Sequence, residues 1–251
     1  MYFRKTIIHG VLYGPYLFHK ITGTGAFGRR GATYLEGSVP IGDNPLKAAL
    51  FRHHVKQFLE TACSVASVVT VVNALRDFQG HRSDPITQMD ILERVHNGHW
   101  KERMRPRGHD GRRGLPLPLL GEIVKSSLDA YSLLYKTVET VDGTKDPVRA
   151  RKQKEALRHR LVDFETRGNC LIIAHFDQGA FVRTLNIPHI SPVGKFNTKT
   201  GEVTILDVDT EQNRLYKVPF DTFFKGLFSN YHPVLRPFGY QAGGYVCITL
   251  I

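Results

Sequence analysis

The segment His189–Asp209 reads HISPVGKFNTKTGEVTILDVD, and this stretch decides the fold class of the chain. Two apolar-rich runs flank the turn-forming residues Asn-Thr-Lys-Thr-Gly, which is the pattern of an antiparallel hairpin. If the turn is centred near Lys199, His189 lies opposite Asp209, and Asp207 is its diagonal neighbour on the same face, within about 8 Å. The pattern therefore predicts a carboxylate beside an imidazole, an arrangement that fixes the tautomer and orientation of a general base.

The runs on either side of this hairpin indicate a sheet preceded by helices. NCLIIAHF at 169–176 and YVCITLI at 245–251 are short apolar runs typical of strands. ACSVASVVTVVNAL at 62–75 is longer than a usual buried strand, and we interpret it as a buried helix despite its valines. Further helical patterns precede the strands, at residues 45–58, 87–100, 115–133 and 147–167. Because helices come first and strands later, the sequence predicts an α+β fold with an antiparallel sheet.

We expect residues 1–251 to form a single domain, since this length is at the upper end of what one core commonly holds. Residues 1–44 carry Gly, Pro and aromatic side chains without a long hydrophobic period, so they are interpreted as an irregular N-terminal arm. Residues 45–167 are predicted to form a mainly helical lobe, and residues 168–251 a β-sheet lobe.

The composition excludes several classes of protein. Apolar residues make up 41% and charged residues 23%, which is close to the globular average and far from disordered or membrane chains. No apolar run approaches the roughly 20 residues of a membrane span, and the N-terminus lacks the apolar core of a secretory signal. The three cysteines are too few and too scattered for a disulfide framework, which favours a reducing, cytoplasmic location.

A formal net charge of +11 favours anionic partners. Basic side chains cluster at 101–113 and 149–160, but aromatic side chains are not interleaved with them as a nucleic-acid stacking platform requires. We therefore do not expect nucleic acid as a partner. His96 and His99 have the spacing of metal ligands, but no further ligand pair completes a set of four, so we expect no metal site.

A candidate nucleophile lies at the start of the predicted buried helix. Cys63 is just inside the N-terminus of this helix, whose partial positive charge stabilises a thiolate, as does a nearby imidazolium. Six residues earlier, Gln57 carries an amide that can help to bind an oxyanion. Gln, Cys, His and Asp, in this order along the chain, is the order of roles in papain-type enzymes, with Asp207 in place of the more usual Asn.

Other titratable residues are interpreted as structural. Cys170 and Cys247 lie within strand-like apolar runs, where a cysteine is usually part of the core. His175 and Asp177 end a strand and are too close in sequence to face each other along an extended chain, so we assign them surface or supporting roles.

The two motifs around Cys63 and His189 resemble the phytochelatin synthase family. QFLETACSVASVVTVVNAL is similar to the family's pattern, in which a Gln six residues before a Cys precedes a small-residue helix ending in Asn-Ala-Leu. HISPVGKFNTKTGEVTILDVD resembles the family's His-Phe-Ser-Pro-Ile-Gly-Gly-Tyr segment, followed by its Leu-Asp-Val. RGLPLPLLGEIVKSSLDAYSL matches more weakly, and the resemblance covers roughly Pro45 to Gly226.

The resemblance implies a papain-like fold whose thiolate attacks the peptide bond between cysteine and glycine of glutathione. Cys63 is then the nucleophile, His189 the general base and acid, and Asp207 the orienting carboxylate. Gln57 is an oxyanion donor beside the backbone amide of Cys63. A γ-glutamylcysteinyl-enzyme forms with release of glycine, and water or a second glutathione completes hydrolysis or transfer. The resemblance implies that no cofactor is required. It also implies that thiolates of glutathione with cadmium or zinc can act as substrate or activator.

Two segments depart from the family pattern. Arg183–Pro188 stands where family members typically have Gly-Gln-Thr-Gly-x-Gly, and Thr210 stands where they have an arginine linked to recognition of the glutamyl carboxylate. A cysteine-rich extension like that of the plant members is not present, which favours a short prokaryotic-type form that mainly hydrolyses its substrate. The departures leave two alternatives: a papain-like cysteine peptidase or amidase with another substrate, and a basic binding protein on a catalytically silent papain-like scaffold.

Overall fold

The computed structural model describes residues 2–37, 44–81, 83–144 and 146–251. In these ranges the helices are α1 (Tyr2–Thr22), α2 (Pro45–Arg52), α3 (Cys63–Phe78), α4 (Gln88–Arg94), α5 (Trp100–Met104), α6 (Leu117–Ala130), α7 (Pro147–Arg167) and α8 (Phe220–Leu227). The strands are β1 (Thr33–Tyr34), β2 (Thr137–Asp142), β3 (Cys170–Asp177), β4 (Pro188–Asn197), β5 (Glu202–Ile205), β6 (Tyr216–Pro219) and β7 (Gly244–Thr249). Short 3-10 helices lie at Gly25–Phe27, Asn97–His99, Gln178–Ala180 and Pro233–Phe238.

These strands form one antiparallel sheet in the order β1-β6-β5-β4-β3-β7-β2. The strands β3 and β7 lie side by side away from the edges and are buried at nearly every residue. Their sequences are therefore almost continuously apolar, and this is why both were detectable as strands. Helices packed on an antiparallel sheet confirm the α+β prediction.

Helix α3 forms the centre of the helical part. All residues from Ser64 to Leu75 are buried, so tertiary packing outweighs the weak helix propensity of the valines. The hydroxyl of Ser67 lies 2.7 Å from the carbonyl oxygen of Cys63 and 2.9 Å from that of Ile190. This hydroxyl joins the first turn of α3 to β4 and fixes Cys63 relative to the residue after His189.

The interpretation of residues 1–44 as an irregular arm is wrong for much of its length. Residues Tyr2–Thr22 form α1, and Thr33–Tyr34 form a short edge strand that pairs with β6. Residues 38–43 of the predicted arm lie outside the described residues.

The hydrophobic pattern of the sequence does not predict α1, because both faces of this helix carry apolar side chains. Leu12 is fully buried, whereas Ile7, Phe18 and Ile21 on the opposite side are exposed. A helix with apolar side chains all round has no amphipathic period, and Pro15 inside it adds a misleading break. Within the part of the chain that the structure describes, no helix is long and apolar enough to cross a bilayer.

The division into a helical lobe followed by a β-sheet lobe also needs correction. The strand β2 lies within residues 45–167 and pairs with β7 at one edge of the sheet, while helix α8 lies within residues 168–251. The strand β2 has exposed and half-buried side chains, so it offers no apolar run. Its partner lies more than 100 residues away, as the register Thr137–Thr249 shows, and local patterns do not report such a pairing.

Two predicted helices are shorter than expected. The helix predicted at 45–58 ends at Arg52, and the one predicted at 87–100 ends at Arg94. Beyond it, Gly98 and His99 have positive φ angles of 60° and 55°, which break the helical path before α5.

A bulge in β4 sets the register of the hairpin predicted from the sequence. Phe196 pairs with Val203, but Val193 pairs with Ile205, so the register shifts by one at Gly194. A Cβ atom at Gly194 would lie 2.7 Å from Cγ of Leu206, which explains the glycine. Beyond the bulge, the pairing of Val193 with Ile205 continues to a register in which His189 lies opposite Asp209. Asp207 is then the diagonal neighbour of His189, as the sequence predicts.

Candidate active site

Cys63 is the first residue of α3 and is partly exposed. Two hydrogen bonds hold the helix start in place. Thr61 Oγ1 donates to the carbonyl of Met104 at 2.9 Å, and Trp100 Nε1 donates to Ser64 Oγ at 3.0 Å. Helix α5 thus buttresses the N-terminus of α3, where the first backbone amides have no partner within the helix and stabilise a negative charge.

His189 and Asp207 form the hydrogen-bonded pair that the hairpin pattern predicts. The imidazole Nε2 donates to Asp207 Oδ1 at 2.8 Å, and both side chains are almost fully buried. Because Nε2 is directed at the carboxylate, Nδ1 is the ring nitrogen left for a second partner. The ring also packs edge to face against Phe176, with 5.4 Å between the ring centroids.

The pKa values of this pair favour the ionised forms. Burial by itself lowers the pKa of His189, but the charge of Asp207, the hydrogen bond to it and the nearby Cys63 together raise that pKa to about 10. Burial raises the pKa of Asp207, yet His189 and Tyr216 hold it below the usual value. Cys63 lies close enough to His189 to contribute to this increase in its pKa. At neutral pH the site therefore holds a protonated imidazole beside the Asp207 carboxylate.

Gln57 lies in the loop between α2 and α3, and its backbone connects it to the Asp207 segment. The backbone N–H of Gln57 donates to the carbonyl of Val208 at 2.8 Å. Its side-chain Nε2 lies 3.4 Å from the carbonyl oxygen of Glu60, and its Oε1 is buried without a partner among the described residues. A contact this long is weak, so the amide is available to a ligand.

Tyr216 is a component of the site that sequence reasoning missed. Its hydroxyl donates to Asp207 Oδ2 at 2.6 Å, and the backbone N–H of Asp209 donates to Oδ1 at 2.8 Å. The carboxylate of Asp207 therefore has donors on both oxygens. Burial and the charge of Asp207 raise the pKa of Tyr216 well above its usual value, so it stays a donor. RLYKVPF carries no turn or motif signal, and only the β5–β6 pairing brings Tyr216 into place.

Tyr216→Phe is expected to lower kcat/KM about three- to tenfold and the free energy of unfolding by about 2 kcal/mol, because one charge-assisted hydrogen bond is lost. Steady-state kinetics and thermal denaturation measure the two effects. Tyr245→Phe is the matched control, since Tyr245 is also a buried strand tyrosine but its hydroxyl contacts Arg160. An equal loss of activity in both variants would show that Tyr216 acts only through packing.

The backbone of the Asp207 segment is held by two further hydrogen-bond donors, Lys56 and His54. Lys56 Nζ donates to the carbonyl oxygen of Asp207 at 2.6 Å and to that of Gln212 at 2.7 Å. His54 Nε2 contacts the same Asp207 oxygen at 3.0 Å. Burial and the charge of Lys56 lower the pKa of His54 to about 4, so this imidazole is neutral and donates.

The assignment of His175 and Asp177 to the surface is wrong, because both are buried. The imidazole of His175 bonds to the carbonyl of Leu115 and to the hydroxyl of Tyr231, at 3.1 and 2.7 Å. Burial lowers the pKa of His175 to about 4 and raises that of Asp177 to about 6. Asp177 accepts hydrogen bonds from Asn186 and Gly179. A supporting role for both residues therefore stays the interpretation.

The remaining candidates do not form a second site. Cys170 and Cys247 are buried in neighbouring strands, in keeping with a place in the core. His99 stacks on His109, with 3.7 Å between ring centroids. No group of three or more metal-ligating side chains is present in the ranges that the structure describes.

Two comparisons with known proteins address the family of this chain. A comparison with curated proteins finds no match. The family model of phytochelatin synthase matches residues 28–232, which is most of the chain and includes Gln57, Cys63, His189 and Asp207. This family consists of γ-glutamylcysteine transferases that act on glutathione-type peptides. The resemblance seen in the two motifs is thereby confirmed, and the chain belongs to the phytochelatin synthase family.

Proposed function

We propose that this chain is a thiol enzyme that cleaves the Cys–Gly bond of glutathione through a γ-glutamylcysteinyl-enzyme at Cys63. The observation that carries the proposal is the buried His189–Asp207 pair, with the partly exposed Cys63 beside it at the start of α3. A carboxylate that orients and charges an imidazole, which in turn contacts a thiol at a helix N-terminus, is the arrangement of papain-like nucleophiles. A papain-like fold is part of the proposal.

In the acylation step, the Cys63 thiolate attacks the carbonyl carbon of the cysteinyl residue of glutathione, and a C–S bond forms. The Cys63 backbone amide and the Gln57 side chain stabilise the oxyanion. The C–N bond to glycine then breaks, and the imidazolium of His189 gives its proton to the leaving amine. Asp207 keeps the imidazole in place and stabilises its charge.

In the deacylation step, neutral His189 takes a proton from water or from the amine of a second glutathione. The incoming oxygen or nitrogen bonds to the acyl carbon, and the C–S bond breaks to regenerate the Cys63 thiolate. Water gives γ-glutamylcysteine, whereas the amine of a second glutathione gives a longer γ-glutamylcysteine chain. We expect hydrolysis to dominate, and a cytoplasmic location stays a prediction.

Incubation of the purified chain with glutathione, with and without cadmium or zinc, tests this function. We expect release of free glycine, measured by mass spectrometry of the products, and a rise in γ-glutamylcysteine of equal molarity. Longer γ-glutamylcysteine chains in the presence of metal would add transfer to hydrolysis. Glutathione left intact under all these conditions would overturn the proposal.

One second candidate is a cysteine peptidase or amidase with another substrate. It is favoured by the segment Arg183–Pro188, which differs from the family pattern directly before His189, and by Thr210. Rapid alkylation of Cys63 by iodoacetamide, together with intact glutathione, would favour this candidate. Slow alkylation of Cys63 would instead favour a catalytically silent binding protein.

A further inference from the structure

Arg103 carries a buried guanidinium group whose hydrogen-bonding capacity is incompletely used. The side chain is only 9% exposed, and its Nε donates to the carbonyl of Gly98 at 2.9 Å. Its Nη1 is buried and has no hydrogen-bond partner among the described residues. A buried charged donor without a partner is costly, and such a group in a native protein calls for a ligand or other acceptor.

Arg113, ten residues later, carries a second incompletely paired guanidinium. Its Nε is likewise buried without a partner in the described part of the chain. Its Nη2 lies 3.6 Å from a carboxylate oxygen of Glu60, which is too long for a good hydrogen bond. Since Glu60 is 64% exposed, it neutralises Arg113 only weakly.

Both arginines border the segment that carries Cys63. Arg113 approaches Glu60, which is three residues before Cys63. Met104, next to Arg103, accepts the hydrogen bond of Thr61, two residues before Cys63. The two arginine segments are also joined to each other, since the backbone N–H of Gly114 donates to the carbonyl of Arg103.

Tyr240 supports this placement, because Cys63, Arg103 and Arg113 all influence the pKa of its side chain. Its hydroxyl donates to the carbonyl of Arg113 at 3.1 Å. Burial raises the pKa of Tyr240, Cys63 raises it further, and Arg103 and Arg113 lower it. The two guanidinium groups and the thiol therefore all lie within electrostatic range of this hydroxyl.

We propose that Arg103 and Arg113 form a carboxylate-binding site beside Cys63, which holds a carboxylate of the peptide substrate; the identity of this substrate rests on the proposed function. The planar guanidinium fork matches the geometry of a carboxylate. Glutathione carries two carboxylates, one on its glutamyl and one on its glycyl residue. Thr210 stands where family members have an arginine, and it carries no charge. In this chain, the positive charge for the carboxylate comes from the segment between residues 103 and 113.

Alkylation of Cys63 tests the site without any assumption about the natural substrate. Iodoacetate and iodoacetamide have nearly the same shape, but only iodoacetate carries a carboxylate. The rates of both reactions at Cys63 are measured by peptide mass spectrometry. In Arg113→Gln, we expect the ratio of the iodoacetate rate to the iodoacetamide rate to fall about fivefold, because one partly exposed charge is removed.

The matched control is Arg107→Gln, which removes an exposed arginine from the same basic loop. This variant has the same change in net charge, so its ratio should stay close to that of the unmodified chain. Arg113 is chosen because its side chain is 33% exposed, whereas replacement of the buried Arg103 endangers the fold. An equal ratio in Arg113→Gln and Arg107→Gln would overturn the proposal.

Kinetics with glutathione and its glycine ethyl ester identify the bound carboxylate. We expect Arg113→Gln to raise KM for glutathione about tenfold with a small change in kcat. If the ester is affected equally, the site binds the glutamyl carboxylate; if the ester is unaffected, it binds the glycyl carboxylate. Unchanged KM for both substrates would contradict the site.

If the unmodified chain releases no glycine, the proposed function fails, but the alkylation ratio still decides the carboxylate site.

Discussion

Cys63→Ala is expected to reduce glycine release from glutathione by about five orders of magnitude while the fold stays intact. In the proposed mechanism the sulfur of Cys63 forms the acyl-enzyme, and without it the other residues of the site can bind substrate but cannot attack it. Because Cys63 is partly exposed at the first position of α3, alanine removes little buried volume. We therefore expect the free energy of unfolding to change by less than about 1 kcal/mol. Product mass spectrometry and thermal denaturation measure the two quantities.

Cys170→Ala is the control for this variant. Cys170 is buried in β3, and its thiol contacts the carbonyl of Arg160. Its loss is expected to lower stability but to leave glycine release at the level of the unmodified chain. If Cys63→Ala retained activity, or if Cys170→Ala abolished it in folded protein, Cys63 would not be the nucleophile.

Asp207→Ala is expected to lower kcat/KM by about two to four orders of magnitude, which is severe but less than the loss of the nucleophile. Removal of the carboxylate leaves three buried donors without an acceptor: His189 Nε2, the Tyr216 hydroxyl and the Asp209 amide. We therefore expect the free energy of unfolding to fall by about 3 kcal/mol. The control is Asp209→Ala, since the carboxylate of Asp209 accepts from Gln178 instead. A larger loss of activity in Asp209→Ala would show that the His189 partner is wrongly assigned.

Asp207→Asn separates the charge of this carboxylate from its position. In the unmodified chain the pKa of His189 is raised to about 10, so the stability gained from its charge is fully present below its usual pKa of about 6.5. That stability is lost as the pH rises through about 10. Asparagine keeps an acceptor for Nε2 but lacks the charge, so the alkaline limb of kcat/KM should move to lower pH by about one unit or more. An unchanged alkaline limb would show that the limb does not report His189.

The hairpin that carries His189 and Asp207 could be predicted because its information is local. The turn residues and two flanking strands lie within one stretch of 189–209, and a diagonal contact follows from the turn position. The bulge at Gly194 was not predicted, yet the register beyond it is the predicted one. Cys63 at the first position of α3 was also predictable, because a long apolar run of small residues has a clear start.

The parts of the site that depend on long-range pairing could not be predicted. Tyr216 reaches Asp207 only because β6 pairs with β5, and no turn signal in the sequence indicates that pairing. Arg103 and Arg113 looked like members of a solvated basic loop. The burial of the Arg103 side chain and of Nε of Arg113 depends on tertiary packing, which a charge pattern does not report.

The intact mass of the protein, after brief mixing with glutathione and rapid acid quenching, shows directly whether Cys63 carries the acyl intermediate. We expect a species heavier by γ-glutamylcysteine less one water, located at Cys63 by peptide mapping and absent from Cys63→Ala. In Asp207→Ala the same adduct should form more slowly. Glycine release without any adduct at Cys63, or an adduct on Cys170 or Cys247 instead, would contradict the assignment of Cys63 as the nucleophile.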